Sequence, residues 1–223
     1  MQRHFDQELG ALKDKLLTMA SHAESALVNA VKSLLEQDDG LAQEVERQDS
    51  VIDQFELELD ELCIDLLALR SPVASDLRLI AVAMKITQNL ERVGDEATKI
   101  ARRALTLNRE APLAISPDFL RMSGMANDML KDALDAFVHG NTPKARDLIP
   151  RDKAVDALNK QGHRELNDLM LADPGNINRA LNLMVVSKSL ERIADHAANI
   201  AEEVVYLYEA RDIRHANQSG RPA

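Results

Sequence analysis

The feature that most constrains this chain is an internal repeat of about one hundred residues. A shift of 100 aligns QNLERVGDEATKIA with KSLERIADHAANIA, and a shift of 103 aligns AVKSLLEQDDGLAQEVERQDSVID with ALDAFVHGNTPKARDLIPRDKAVD. A unit of this size is too long for a solenoid repeat but suits a small domain. The alignment therefore indicates that the chain duplicates one domain.

Apolar residues recur at helical spacing through both copies, and Gly and Pro interrupt them at only a few places. Asp76 is predicted to cap the third helix. The fold predicted is all-α, a tandem duplication of a three-helix bundle. Residues 1–108 form the first bundle, 109–117 a linker, 118–213 the second bundle and 214–223 a disordered tail. The six helices are predicted at 5–37, 41–69, 76–107, 118–138, 143–170 and 177–211.

Composition narrows the class of protein. The residues are 45% hydrophobic but only 3% aromatic, which favours a bundle built from aliphatic side chains. A net charge of -10 argues against a nucleic-acid partner, since binding phosphates takes Lys and Arg. Cys63 is the single cysteine, so no intrachain disulfide forms. Neither a signal peptide nor an apolar run of ~20 residues is evident, so we expect a cytoplasmic protein that meets membranes only through partners.

Four pairs of carboxylates repeat with the duplication. Members of each pair are four residues apart and so share one face of a helix. In each copy one pair lies on the third helix and one on the helix before it. Packing of these neighbouring helices would bring the two pairs of a copy together. The eight candidate ligands are Glu91, Asp95, Glu191, Asp195, Asp49, Asp53, Asp152 and Asp156.

Such oxygen-only sets suit hard or intermediate cations such as Mg, Mn, Ca or Fe, whereas Zn commonly recruits His or Cys. Only His196, next to Asp195, adds an imidazole. The alternative is a solvated charged surface, in which Asp95 pairs with Lys99 and Arg92 with Glu96 along the helix. Asn199 replaces Lys99 in the second copy, so such pairs cannot explain both sites equally.

The motifs of common enzymes are missing from the sequence. No Glu is followed by His three residues later, as ferritin-like di-iron sites need, and there is no phosphate-binding Gly-rich loop, G-x-S-x-G or H-E-x-x-H. We therefore predict a protein that is not an enzyme. A carboxylate-bridged metal protein with enzymatic activity, and a plain structural bundle, are the alternatives.

The segments SPVASDLRLIAVAMKITQNLERVGDEA and NRALNLMVVSKSLERIADHAANIAEEVVYL resemble the paired signature of the PhoU family, which carries E/D-x-x-x-D on the third helix of each repeat. This resemblance implies a cytoplasmic negative regulator of phosphate-starvation signalling and a modulator of phosphate uptake. It implies an adaptor between two partners, the ATPase subunit of the phosphate ABC transporter and the sensor histidine kinase of the phosphate regulon. Members of the family are commonly dimers, so a homodimer is expected.

The resemblance also implies metal binding at the carboxylates, with Fe, Zn, Mg or Mn as the ions of different members. Carried onto this chain, the motif falls on Glu91 with Asp95 and on Glu191 with Asp195. The prediction of the other four aspartates rests on the internal alignment and on helix geometry. Asn89, Ser189 and Lys99 depart from the residues common in the family, which weakens the expected metal site of the first repeat.

Overall fold

The structure is a computed structural model that describes residues 2–111, 113 and 117–213, without the side chains of residues 2–4 and 117. These residues form six α-helices and one short 3-10 turn, Pro174–Asn176, and include no strand. The prediction of six helices in an all-α fold is confirmed. The helices are α1 (Gln2–Leu35), α2 (Asp39–Arg70), α3 (Ala74–Leu107), α4 (Pro117–His139), α5 (Thr142–Ala172) and α6 (Ile177–Glu209).

Side chains and left-handed residues set several helix ends. The Asp38 carboxylate caps α2 by accepting a hydrogen bond from the backbone N–H of Leu41 at 2.9 Å. That helix ends at Arg70, and the next residue, Ser71, has a φ of 47° that turns the chain out of the helix just before Pro72. Gly140 has a φ of 64°, which glycine adopts without strain, and it allows the sharp turn between α4 and α5.

Most of the predicted helix ends are displaced by one to three residues, and two of these shifts concern residues that set a helix end. Helix α3 begins at Ala74 after Val73, so Asp76 lies inside the first turn and is not the N-cap. Its negative charge there still suits the positive end of the helix dipole. Helix α6 ends at Glu209, two residues early, because Ala210 adopts a left-handed conformation with φ 55°. Of the predicted linker, residues 112 and 114–116 lie outside the described residues, as does the predicted tail at 214–223.

Each repeat packs its three helices around an apolar core. Helices α1, α2 and α3 contact one another, as do α4, α5 and α6. Full burial of an aliphatic side chain such as Leu12 or Ile86 contributes about 1.5–3 kcal/mol. No described helix has the length and apolar character needed to cross a membrane.

The two repeats join along α3 and α6, which run antiparallel. Glu96 of α3 accepts a hydrogen bond from the Ser189 hydroxyl at 2.7 Å, and Asn89 of α3 contacts His196 Nδ1 at 3.0 Å. Positions 96 and 196 are equivalent in the repeat, as are positions 89 and 189. The contact between positions 96 and 189 therefore has a symmetry-related counterpart between positions 196 and 89. We call this contact surface the seam. It has an approximate twofold axis, which passes close to Arg92 and Arg192.

Helices α1 and α4 also join the two repeats, beside the seam, and Lys131 of α4 lies 3.1 Å from Glu24 of α1. In the described part of the chain, α2 and α5 make no contact with each other. The molecule is therefore closed on the side of α1 and α4 and open on the side of α2 and α5.

Candidate functional site: two acidic helix faces

In the first repeat, carboxylates of α2 and α3 form one acidic surface. Burial raises the pKa of Asp53, and the negative charges of Asp49 and Asp95 raise it further. Asp53 and Asp49 are on α2 and Asp95 is on α3, so the structure brings together the two pairs that the sequence placed on separate helices. We define the first acidic face as Asp49, Asp53, Glu56, Glu91 and Asp95.

Glu91 is half-buried in this face. Burial raises the pKa of Glu91, and the charges of Asp95 and Glu56 act in the same direction, while Arg92 opposes them. Arg92 is a weak counterion, because its Nε lies 3.9 Å from Glu91 and its side chain is 68% exposed. The first acidic face therefore carries negative charge that the nearby cations do not neutralise.

Glu56 is a member that sequence reasoning missed. Burial raises the pKa of Glu56, and the charges of Asp60 and Asp53 add to the effect. It follows Asp53 by three residues on α2, a spacing that keeps both on one helix face. Glu56 belongs to no carboxylate pair that is common to both repeats, because its equivalent in the second repeat is Asn159.

The second acidic face consists of Asp152 and Asp156 of α5 with Glu191 and Asp195 of α6. Burial raises the pKa of Asp152 to about 6, and the charges of Asp195, Asp156 and Glu191 contribute. As in the first repeat, the two predicted carboxylate pairs from neighbouring helices face one another. All eight predicted residues therefore fall into two clusters, one in each repeat.

The two faces differ in their cations and hydrogen bonds. Lys188 Nζ lies 2.5 Å from Glu191 and neutralises it, whereas the equivalent residue in the first repeat is Gln88. Conversely, Thr98 donates a hydrogen bond to Asp49 Oδ1 at 3.0 Å, and Ala198 has no hydroxyl to do so. The first face therefore has five carboxylates and no lysine at the position of Lys188, whereas one carboxylate of the second face is paired with the ammonium group of Lys188.

The intrahelical ion pairs expected for a solvated surface do not form. Lys99 lies 3.0 Å from Glu96 rather than bonding Asp95. Glu96 in turn is bound by Arg192 of α6 at 3.0 Å, not by Arg92 of its own helix. The reason is that Glu96 points into the seam, with only 4% of its surface exposed, where α6 supplies better donors.

His196 is likewise committed to the seam through its contact with Asn89 at 3.0 Å. Burial lowers the pKa of His196, although the charge of Asp195 opposes the change. The one imidazole adjacent to a carboxylate pair therefore packs between the repeats, and the second acidic face consists of oxygen donors.

Among residues 2–111, 113 and 117–213, no three His, Cys, Asp or Glu side chains converge closely enough to enclose a metal ion. The acidic faces are open rows of oxygen donors rather than closed coordination shells. Mg²⁺ is commonly held by one or two carboxylates together with water, so the chemistry of the faces suits a hard divalent cation while their arrangement does not suit a fully enclosed one.

Two three-helix bundles, joined along their third helices and each bearing an acidic face, define a duplicated bundle protein that presents carboxylates on open helix surfaces. Comparison with known proteins identifies the family to which this chain belongs. The PhoU domain family model matches residues 16–104 and 119–204, one match in each repeat. The chain belongs to the PhoU family.

Relatives and solved structures agree. The chain is 43% identical over 216 residues to a protein of Pseudomonas putida named phosphate-specific transport system accessory protein PhoU homolog, covering 96% of this chain and 84% of that protein. An Aquifex aeolicus protein of the same name is 40% identical, with 94% and 95% covered. The crystal structure of PhoU from Pseudomonas aeruginosa is similar at a TM-score of 0.90 and 42% identity, covering 93% of this chain and all of that one.

A more distant solved structure shares the same architecture. The phosphate transport system regulatory protein PhoU from Streptococcus pneumoniae is similar at a TM-score of 0.88 and 29% identity, with 94% of this chain and 99% of that chain covered. The duplicated fold is therefore retained across sequences that differ at most positions.

Proposed function

We propose that this chain is a cytoplasmic accessory protein of phosphate transport that represses phosphate-starvation signalling while phosphate is plentiful. It acts as an adaptor between the ATPase subunit of the phosphate ABC transporter and the sensor histidine kinase of the phosphate regulon. Family membership and the names of its relatives, which are called accessory or regulatory, support this role. The observation that carries the proposal is the pairing of two PhoU repeats, each with an acidic face, in one chain.

The acidic faces are the proposed contact surfaces. Several carboxylates on them have raised pKa values because burial and neighbouring carboxylates disfavour their charge. A partner that brings Lys or Arg side chains, or a cation, relieves that repulsion and so gains binding free energy. The protein works as a homodimer in this proposal and reaches the membrane only through the transporter and the kinase.

The same carboxylates are the proposed metal ligands. Glu91, Asp95, Asp49 and Asp53 would hold an ion in the first repeat, and Glu191, Asp195, Asp152 and Asp156 in the second, with Mg, Mn, Fe or Zn as candidates. A bound cation would offset the repulsion within each face and present open coordination positions to a partner. The first face lacks a cation equivalent to Lys188, so it has more negative charge available for an added ion.

The regulatory role is tested by deletion and complementation. Removing the protein should switch on a phosphate-starvation reporter gene in high phosphate, and the wild-type chain should silence it again. A variant with Glu91→Ala and Asp95→Ala should restore silencing incompletely. Glu46→Ala, which removes a half-buried carboxylate paired with Arg102 at 2.8 Å, should restore it fully. Reporter silence in the deletion strain would disprove the proposal.

Metal binding is tested separately by elemental analysis of protein purified without a chelator or an affinity tag. We expect metal in the wild type and a stepwise loss in variants Glu91→Ala with Asp95→Ala and Glu191→Ala with Asp195→Ala. If the wild type holds no metal, including after incubation with Mg²⁺ or Mn²⁺, the carboxylates serve as charged contact surface and the adaptor role stands on its own.

A further inference from the structure

A duplicated chain can join its third helices in more than one way. The native seam pairs α3 with α6, but two copies of the chain could also pair α3 with α3 and α6 with α6, because the helices are equivalent in the repeat. We propose that charged residues of the seam select the unlike pairing, so that α3 accepts an α6-type helix and rejects a second copy of itself.

The salt bridge between Lys85 and Glu203 is the first part of this selection. Lys85 Nζ lies 3.0 Å from both carboxylate oxygens of Glu203, which is only 5% exposed. The repeat equivalents of these residues are Val185 and Arg103. In an α3–α3 pair of the same geometry, Lys85 would therefore face Arg103 of the second copy, and the twofold symmetry would produce this like-charge contact twice.

Pairing α6 with α6 is opposed by a different cost. Glu203 would face Val185, which cannot replace the ammonium group of Lys85. A buried carboxylate that loses a cation keeps its desolvation penalty and loses that part of the compensation. The first alternative thus brings together like charges, and the second removes a counterion from a buried charge.

Glu96 adds a second element to the selection. It accepts hydrogen bonds from Ser189 and Arg192 of α6, at 2.7 Å and 3.0 Å, while Lys99 of its own helix lies at 3.0 Å. Its equivalent in the second repeat is His196, so an α6–α6 pair would place an imidazole, not a carboxylate, near Arg192. An α3–α3 pair would instead offer Glu96 the equivalents Asn89 and Arg92, which also carry N–H donors, so this cluster opposes only the α6–α6 pairing.

This selection has a functional consequence. The unlike pairing holds the first and second acidic faces on one chain, on either side of the α3–α6 pair. Like-with-like pairing would instead place two first acidic faces beside an α3–α3 pair and two second acidic faces beside an α6–α6 pair. The seam therefore determines which carboxylate surfaces a partner meets together.

The test reverses the charges of the bridge in the full chain. We compare Lys85→Glu, Glu203→Lys and the double variant that exchanges both charges, and use Lys131→Glu as a matched control. The control also breaks an ion pair between the repeats, the one with Glu24, but it lies outside the seam. A reporter cysteine is introduced by Arg92→Cys, near the twofold axis, and is linked with a short bis-maleimide. A second reporter, Glu36→Cys, at the exposed position just after α1, measures non-specific association.

The native Cys63 is buried, and burial raises the pKa of its thiol to about 12, so it does not compete for the reagent. Each protein is refolded from denaturant at high concentration before linking. In an α3–α3 pair, Lys85→Glu replaces a like-charge contact by an attractive one between Glu and Arg103. In the native pair, it replaces the salt bridge by repulsion from Glu203. We expect its dimer linked through position 92 to increase several-fold over the unreversed chain, while the control, Glu203→Lys and the double variant stay at the unreversed level.

Thermal melting provides the second measurement. Both single reversals should lower the melting temperature and the double variant should recover most of the loss, because the exchanged bridge re-forms. The proposal is overturned if linking through position 92 does not increase in a refolded Lys85→Glu protein, or if it increases equally in Lys131→Glu. It is also overturned if Lys85→Glu fails to refold and the double variant fails to restore folding.

Discussion

At the scale of single residues, the acidic faces show how one helix spacing acquires different properties in two repeats. Asp53 and Asp152 both have raised pKa values, caused first by burial and then by neighbouring carboxylates. The second repeat counters part of this repulsion with Lys188 beside Glu191, and the first repeat does not. Equivalent carboxylates therefore differ in how strongly they attract a cation.

Asp152 allows a direct test of this repulsion. Its pKa of about 6 in the folded protein lies above the ordinary value, so the folded state binds the proton more tightly than the unfolded chain. Its contribution to the free energy of unfolding is therefore present below about pH 4 and is lost as the pH rises through 6. In chelator-treated protein, Asp152→Asn should raise the free energy of unfolding at pH 8 by about 1–2 kcal/mol, after allowance for solvent screening.

The measurement is urea denaturation at pH 5 and pH 8. The gain from Asp152→Asn should be clearly smaller at pH 5, where the wild-type carboxyl is largely protonated. Asp147→Asn, which removes an exposed carboxylate of the same helix, serves as the control and should change stability little at either pH. An equal effect of Asp152→Asn at both pH values would contradict the electrostatic explanation.

At the scale of helices, the repeats preserve their packing by matched changes in volume. Gly94 of α3 approaches Ile52 of α2 so closely that a Cβ at position 94 would lie 2.8 Å from Ile52 Cδ1. In the second repeat the equivalent residues are Ala194 and Val155. One methyl group is gained on the third helix and one is lost on the second, so the two helices fill the same space.

The pair yields a prediction about helix packing. Gly94→Ala gains roughly 1 kcal/mol of helix propensity, but overpacking costs about 1–3 kcal/mol, so we expect a net loss of stability. Ile52→Val alone should cost about 0.5–1.5 kcal/mol. The double variant reproduces the second repeat and should be more stable than the sum of the single effects, as a double-mutant cycle by chemical denaturation would show. Strict additivity would refute the volume match.

At the scale of the whole molecule, the seam joins the repeats through polar contacts as well as apolar ones. Burial acts to raise the pKa of Glu96, but hydrogen bonds from Ser189, Lys99 and Arg192 outweigh it and lower the pKa overall. Its stabilising contribution is therefore present above the unfolded pKa and is lost as the pH falls through the folded one. This contact is one of those that hold the two repeats, and with them the two acidic faces, together.

Glu96→Gln keeps the shape of the side chain but removes its charge. We expect a loss of about 1–2 kcal/mol at pH 7, because the hydrogen bonds from Lys99 and Arg192 lose their charge-assisted strength. Relative to the wild type, hydrogen exchange should become faster along α3 and α6, and should change less along α2 and α5. Glu46→Gln, which weakens an exposed pair inside the first repeat, should cost less and leave the seam protected. Unchanged exchange at the seam in Glu96→Gln would contradict this role.

Much of the fold followed from the sequence because its signals are local. Apolar spacing, Gly and Pro positions and the internal alignment identified six helices, with ends displaced by a few residues, as at Asp76. Helix spacing also placed Glu91 with Asp95 and Asp49 with Asp53 on common faces. These inferences needed only residues that are close in the chain or equivalent in the repeat.

The sequence by itself thus determined the duplication, the helical class and the members of the carboxylate pairs. Only the tertiary structure decided which way each side chain faces across helices distant in the chain. It added Glu56 to the first acidic face, turned Glu96 and His196 into the seam and matched Lys85 with Glu203. The physical reason is that helical periodicity specifies a face of a helix, whereas the neighbour on that face depends on how the two bundles pack.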